Sequence, residues 1–438
     1  MNEASDRSGG SMVAAADEEL TSSEPRQLVD HFFRHEYAKL VATLTRKFGV
    51  RHWELVEDVV QSALERALNS WSLRGVPENP TAWLHRVASN LALDTLRRDS
   101  RWYELDSRAD IASKRSSVDS DADELQLQDD MLRMFFVCCD PEVPAESQVA
   151  LALKTLCGFG NLEIARALLA TEVSVAKRVT RAKQKLRESG VEPADLTPDS
   201  LSERLPDVQA VVYLLFNEGY SSSIADKLIR EELCEEAVRL ALVLAEHPQT
   251  RGPRSAALLA LLLFHAARLD ARIDKSGAML LLKEQDRSLW DHRLLLEAFR
   301  WFRLATSGDD VTRYHAEAWI AAEHCRAASI SETNWERIAA GYDVLCSLES
   351  SPVHELSRAI AIGHRDGPEA GLEAFSAIKS DKLKKDYYLW HATRAELMRQ
   401  TGDIETAKTS LRQAWKLAPT NAEKELICRK LDELSLPE

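Results

Sequence analysis

Glycine and proline are scarce in this 438-residue chain, at 16 and 14 residues, and no stretch sustains the period-two alternation of a half-buried strand. A strand-and-turn architecture is thereby excluded, and an all-α chain is expected. The seven cysteines (Cys138, Cys139, Cys157, Cys234, Cys325, Cys346 and Cys428) form no CxxC pair, and none sits near histidines at zinc-finger spacing. Their irregular spacing reads as small buried residues in a reducing cytosol, with a redox role for the adjacent Cys138–Cys139 pair as the alternative. No run of about eighteen apolar residues is present, so no membrane span is expected. Met12–Ala16 is too short for a signal peptide and is followed by Asp17, Glu18 and Glu19, so a cytoplasmic location is expected. Ser-His-Asp order, a metal cluster and a phosphate loop are all missing. His31, His35, His265, His315 and His324 are scattered and read as ordinary residues. Neither catalytic nor metal-binding residues, nor a cofactor, are therefore expected.

What is present is a soluble composition, 45% hydrophobic and 29% charged, with net charge −14. The length calls for about two to four domains. Residues 1–24 are rich in Ser, Asp and Glu and read as a disordered tail. Residues 25–103 are strongly helical in period, and 104–123, with Asp106, Asp110, Asp119, Asp121 and Asp123, form an acidic linker. Residues 124–190 make a second helical unit, and 200–438 a long array of helices of about 12–18 residues each.

The most basic stretch lies against this acidic background. Leu162–Glu188 reads as two short helices joined by a tight connection. The second carries Lys177, Arg178, Arg181, Lys183, Lys185 and Arg187, with no acid between Ser174 and Arg187. Val175, Val179, Ala182 and Leu186 form its buried stripe, leaving Lys177, Arg181 and Lys185 exposed with Arg178 beside them. Leu162, Ile164, Ala165 and Leu168 give the first helix its packing face. Thr171 suits the N-cap of the second, leaving its N-terminus free for a phosphate. A solvated basic face is the bland reading; the paired helix and the short turn favour a helix-turn-helix on DNA.

Two further signals lie upstream. In Val56–Trp71, Val56, Val59, Val60, Ala63, Leu64, Ala67 and Leu68 form an apolar face opposite Glu57, Asp58, Gln61 and Glu65. In Thr81–Tyr103, Trp83, Leu84, Val87, Leu91 and Leu96 point inward, while Arg86, Asn90, Asp94, Arg97, Arg98 and Arg101 face out towards Trp102 and Tyr103. Cations interleaved with amides and aromatics suit single-stranded nucleic acid. Trp83 is read as core, and the Arg97–Arg98 pair as DNA-facing. Pro77 and Pro80 flank a preceding loop, with Asn79 or Thr81 as helix cap.

These stretches resemble a bacterial RNA polymerase sigma factor of the extracytoplasmic-function, sigma-70-like family over about residues 26–190. DVVQSALERALNSW and AWLHRVASNLALDTLRR are similar to sigma regions 2.2 to 2.4, and LEIARALLATEVSVAKRVTRAKQKL to region 4.2. The resemblance implies that Asp58, Gln61 and Glu65 bind the beta-prime clamp helices of core RNA polymerase. It implies that the loop Trp71–Pro80, with Trp71, Asn90, Asp94, Arg97 and Arg98, holds the melted −10 element of promoter DNA. Ser174, Lys177, Arg178, Arg181 and Lys185 would read the −35 element, and region 4 would also meet the beta flap. The chain departs from the family at Gly160, where a Ser or Thr cap is usual, and at Ala170 and Thr171, where Gly or Pro is usual.

Further along, PDVQAVVYLLFNEGYSSS, ELCEEAVRLALVLA and KEQDRSLWD resemble the subgroup with a long C-terminal tetratricopeptide-like extension. That implies control by the extension itself, through a protein partner or ligand. Gly402, Ala407, Leu411, Ala414 and Pro419 carry the spacing of such a repeat, with a looser echo in Ala370, Ala374 and Ala377. An ordinary helical bundle suits the same pattern. Asn217–Tyr220 and Glu284–Asp291 stand out; Asp286 and Arg287 beside Trp290 read as a buried hydrogen-bonded junction or, alternatively, a ligand or partner site. A one-component DNA-binding regulator with a helical sensor would leave Val56–Tyr103 unexplained, and a protein-binding scaffold would leave the basic helix unexplained.

Overall fold

The computed structural model describes residues 25–100, 120–168, 170–220, 231–274, 278–379 and 381–435. The tail expected at 1–24, residues 104–119 of the expected linker, and Arg101, Trp102 and Tyr103 lie outside them. Among the described residues every extended element is helical; the single β-bridge, Ile273 to Met279, belongs to no strand. The chain divides into two compact units, Met1–Ile164 with Glu172–Leu196 and Ala165–Thr171 with Thr197–Glu438.

The first unit is built on α1 (Pro25–Phe48), α2 (Trp53–Arg74) and α3 (Pro80–Ser100). Their apolar stripes meet in one core of Leu40, Val41, Leu44, Val56, Val59, Val60, Ala63, Ala67, Leu84, Ala88 and Ala92. Trp71 and Trp83 pack on its edge, ring centroids 5.6 Å apart in a T-shaped contact. Leu68, expected on the apolar face, is instead exposed, because the packed line runs through Val56, Val60, Ala63, Ala67 and Trp71 and Leu68 falls on its flank. Asn79 caps α3, accepting from the Ala82 amide at 2.9 Å, with Pro80 at the first helical position where its missing N–H is harmless.

Helices α4 (Ser120–Cys138) and α5 (Ala145–Leu156) add a second apolar layer that includes Leu132, Phe135, Phe136, Leu151 and Leu153, all buried. Arg133 of α4 ties down the segment after the basic helix, donating to the carbonyls of Pro193 (3.0 Å) and Leu196 (2.7 Å). Arg46 of α1 pairs with the buried Asp130 of α4 at 2.6 Å. The cysteines are free: Cys138, Cys139, Cys157 and Cys234 are buried, Cys325 and Cys346 half-buried, and Cys428 is exposed, against the expectation that all would be interior. Burial pushes the Cys138 thiol up to about 12, which suppresses the thiolate that redox chemistry needs.

In the second unit helices follow one another along the chain, most packing on the next: α8 (Pro198–Tyr220), α9 (Glu231–Glu246), α10 (Pro253–Ala266), α11 (His292–Ala305), α12 (Arg313–Arg326), α13 (Trp335–Leu348), α14 (Pro352–Asp366), α15 (Pro368–Ala377), α16 (Asp381–Asp386), α17 (Tyr388–Gln400), α18 (Ile404–Leu417) and α19 (Asn421–Glu433); α15 packs on α17. Ten consecutive residues of α10, Ser255–Phe264, are buried, as befits a helix enclosed on all sides. Ala407, Leu411 and Ala414 are buried on α18 and Gly402 takes φ +86° in the preceding turn, the positions singled out by spacing. In the looser echo Ala374 is half-buried against the core and Ala370 half-buried, the fully buried positions are Gly371 and Phe375 beside them, and Ala377 is exposed. There α14 and α15 approach so closely that a Cβ on Gly371 would lie 2.8 Å from the Gly363 Cα.

Candidate nucleic-acid and polymerase interface

Asp58, Gln61 and Glu65 fall three and four residues apart on α2 and are all exposed. Gln61 Nε2 donates to Glu65 Oε1 at 3.4 Å, a weak contact that leaves the face open to a partner. On α3, Asn90, Asp94, Arg97 and Arg98 occupy one exposed face at helical spacing. Arg98 donates to Thr95 Oγ1 at 3.3 Å. Trp71 belongs to the last turn of α2 and is half-buried against Trp83, so it is not part of a loop as expected; the connection proper is only residues 75–79, opened by Gly75 at φ +80°.

The basic helix, α7 (Glu172–Ser189), buries Val175, Val179, Ala182 and Leu186 as its periodicity requires. It also buries Lys183, one of the six cations that composition alone would turn to DNA. Its ammonium meets Glu57 Oε2 of α2 at 2.5 Å and lies 5.4 Å from the centre of the Trp53 ring. Burial, then the adjacent carboxylates Glu57 and Asp58, raise the Tyr37 phenol well above its ordinary range. Arg187 pairs with Glu54 at 3.1 Å, Arg178 with Glu146 at 2.8 Å, and Lys185 donates to the Glu142 carbonyl at 2.8 Å. Ser174 is half-buried. Lys177 and Arg181 are exposed, without a partner among the described residues. The helix thus has two sides: one resting on α2 and the 142–146 turn, the other presenting unpaired positive charge.

Upstream, α6 (Asn161–Ala167) begins without a Ser or Thr cap. Glu163 supplies what the sequence pattern did not show: its Oε2 accepts the Gly160 amide at 2.6 Å, the reach-back half of a capping box. Leu162, expected to pack, is exposed.

Asp286 and Arg287, read as paired, are not. Asp286 caps a short turn, accepting from the Ser288 amide at 2.9 Å. Arg287 donates to the His324 carbonyl at 2.7 Å and to that of Ala327 at the end of α12, and its guanidinium lies 4.6 Å from the Trp290 ring centre. The junction is therefore between a loop and a helix C-terminus, where a cation meets orphan carbonyls.

Residues 33–102 match sigma-70 region 2, and residues 204–306 match a family of unknown function (DUF6596). The first match spans most of α1 together with α2 and α3; the region implies binding to core RNA polymerase and promoter DNA, the role of a non-enzymatic transcription factor. The chain is 37% identical over 391 residues to an uncharacterized protein of Rhizobium meliloti (strain 1021), covering 88% of this chain and 91% of that one. The chain belongs to the same family as that protein; in this chain a sigma-70 region 2 is joined to a DUF6596 segment. No solved structure matches it. No helix among the described residues is long and apolar enough to cross a membrane.

Proposed function

We propose that the chain is a sigma factor of the extracytoplasmic-function type, which binds core RNA polymerase and directs it to promoters, with its helical C-terminal extension governing that activity. The observation that carries the reading is the sigma-70 region 2 match over helices that expose Asp58, Gln61 and Glu65 on one face and Asn90, Asp94, Arg97 and Arg98 on another. The acidic face on α2 takes the beta-prime clamp helices, and the α3 face follows the melted −10 strand. Opening each stacked step of that element costs about 1.4 kcal/mol, which capture of unstacked bases offsets.

Residues 124–190 act as region 4. Lys177 and Arg181 make the first phosphate contacts at the −35 element; Arg178 and Lys185 join after exchanging Glu146 and the Glu142 carbonyl for DNA. Region 4 also meets the beta flap. The second unit acts as a tetratricopeptide-like regulatory array, its close-packed hairpins at Gly363/Gly371 and around Ala407 and Ala414 being the supporting feature. The test is transcription in vitro with core polymerase and no other sigma factor. Promoter-dependent transcripts from core plus this chain support the reading. Transcripts only when another sigma is already present favour a one-component regulator and refute it. Truncation after Gly190 then separates an inhibitory extension, whose loss raises transcription, from a required one.

A further inference from the structure

A cleft of about 570 Å³ opens in the second unit among α8, α10, α12, α13 and α14. Its walls are unlike those of an ordinary core. Two arginines, Arg268 and Arg272, face it beside His265 and His324. Arg268 is only 7% exposed. Neither arginine has a carboxylate partner among the described residues. Arg268 donates to the Tyr220 hydroxyl at 3.2 Å and contacts His265 Nδ1 at 2.8 Å; its Nε has no partner among the described residues. Arg272 donates to the Tyr220 carbonyl, and its guanidinium stacks 3.6 Å from the Tyr220 ring centre. The one acidic residue in the wall, Glu317, is already held by Arg313 at 2.9 Å and by the Tyr213 hydroxyl at 2.7 Å.

A guanidinium as enclosed as that of Arg268, with a second, half-buried one at Arg272 and no counter-charge for either, is an expensive arrangement, since a buried charge is normally paired. Burial first, and then the neighbouring cations (Arg268 and Arg272 for His265, Arg268 and Arg287 for His324), push both histidines towards the neutral form, so neither is expected to need an acidic partner. An incoming anion supplies the counter-charge that the two arginines lack. Leu280, Ile320, Tyr342, Leu345 and Val353 give the wall an apolar and aromatic part, with Gln285, His354 and Ser357 as polar groups beside it. Tyr220, whose carbonyl Arg272 meets, is the last residue of α8 and of the Asn217–Tyr220 motif, and Arg268 also lies 5.9 Å from the ring of Trp290 in the Glu284–Asp291 motif.

We propose that this cleft binds a small organic anion, its phosphate or carboxylate group held by Arg268 and Arg272 and its apolar or aromatic body by Leu280, Ile320 and Leu345. Guanidinium groups suit either acidic group through paired, charge-assisted hydrogen bonds.

Calorimetry on the full chain with phenyl phosphate, benzoate and the neutral benzyl alcohol tests this. Saturable binding of phenyl phosphate or benzoate, with none of benzyl alcohol, is expected, and whichever binds tighter identifies the acidic group. Arg272→Gln is expected to weaken binding at least about tenfold while the variant still unfolds in one cooperative thermal transition. A wild-type measurement guards against a misfolded variant: the bound anion should slow phenylglyoxal modification of Arg268 and Arg272 but not of the exposed Arg412. Failure of both anions to bind at millimolar concentration overturns the proposal. So does equal binding of benzyl alcohol, or binding that leaves Arg268 and Arg272 as reactive as before. Neither polymerase nor DNA enters the experiment, so its outcome is independent of the transcription assay.

Discussion

Lys183 Nζ of α7 donates to Glu57 Oε2 of α2 at 2.5 Å, and this bond anchors the most basic helix of the chain to the surface that carries Asp58, Gln61 and Glu65. The ammonium lies over the Trp53 ring and the lysine side chain is only 7% exposed, so the pair behaves as a buried ion pair rather than a surface one.

Removing one partner of that pair leaves the other charge buried. Glu57→Gln is expected to lower the stability of the first unit by about 3–5 kcal/mol, because it strands the more buried Lys183 charge, and Lys183→Met by less, because the Glu57 left behind is the more exposed of the two. A double-mutant cycle by urea unfolding should give a coupling of at least about 1 kcal/mol. Additive single effects would mean that the contact contributes nothing of its own.

If Lys177 and Arg181 meet promoter phosphates, the double variant Lys177→Ala/Arg181→Ala weakens promoter binding at low salt and flattens its salt dependence. Each phosphate no longer neutralised lowers the slope of log K against log salt by about 0.9. An unchanged slope would place those two cations away from the backbone.

Gly371→Ala should be destabilising although alanine is the better helix former. The new methyl would lie 2.8 Å from both the Gly363 Cα and Leu397 Cδ2, and 3.1 Å from the Ala359 carbonyl, so α14 and α15 must separate. A loss of about 1–3 kcal/mol in the unfolding of the second unit is expected; a gain would show that the two helices can part without strain.

Acid should weaken the second unit through His324, which burial first, and then Arg268, Arg287 and His364, push from its ordinary 6.5 to about 3. The folded value lies below the unfolded one, so the unfolded chain binds more protons between them. Stability is full above pH 6.5 and falls as the pH drops towards 3. Between pH 6.5 and 5 the loss amounts to roughly 2 kcal/mol. His324→Gln should remove that part of the slope in unfolding experiments at the two pH values, and parallel slopes for variant and wild type would contradict it.

Much of this protein was legible as pattern. The stripe Val175, Val179, Ala182 and Leu186 is buried as its spacing demands, Asn79 caps α3, and Trp83 packs on the core. Periodicity reports which side of a helix is apolar because burial of that side is what stabilises it. It says nothing of the residue at the seam. Lys183 stands next to the stripe and looks like its exposed neighbours until Trp53 and Glu57, some 126 positions away, are brought beside it. Trp71 departs from the expected loop for a similar reason: a helix runs on until Gly75 stops it, and no proline or glycine marks an earlier end.

The amino-acid order by itself determined the all-helical architecture, the segment with the character of sigma region 2, and the concentration of positive charge in one helix, since each depends on residues within a few turns of one another. Which of those charges meet a carboxylate, and the gathering of Arg268, Arg272, His265 and His324 around one cleft, were decided only by tertiary structure. Hydrogen bonds and Coulomb interactions act over a few ångströms in space, and the partners that complete or withhold them come from helices far apart in the chain.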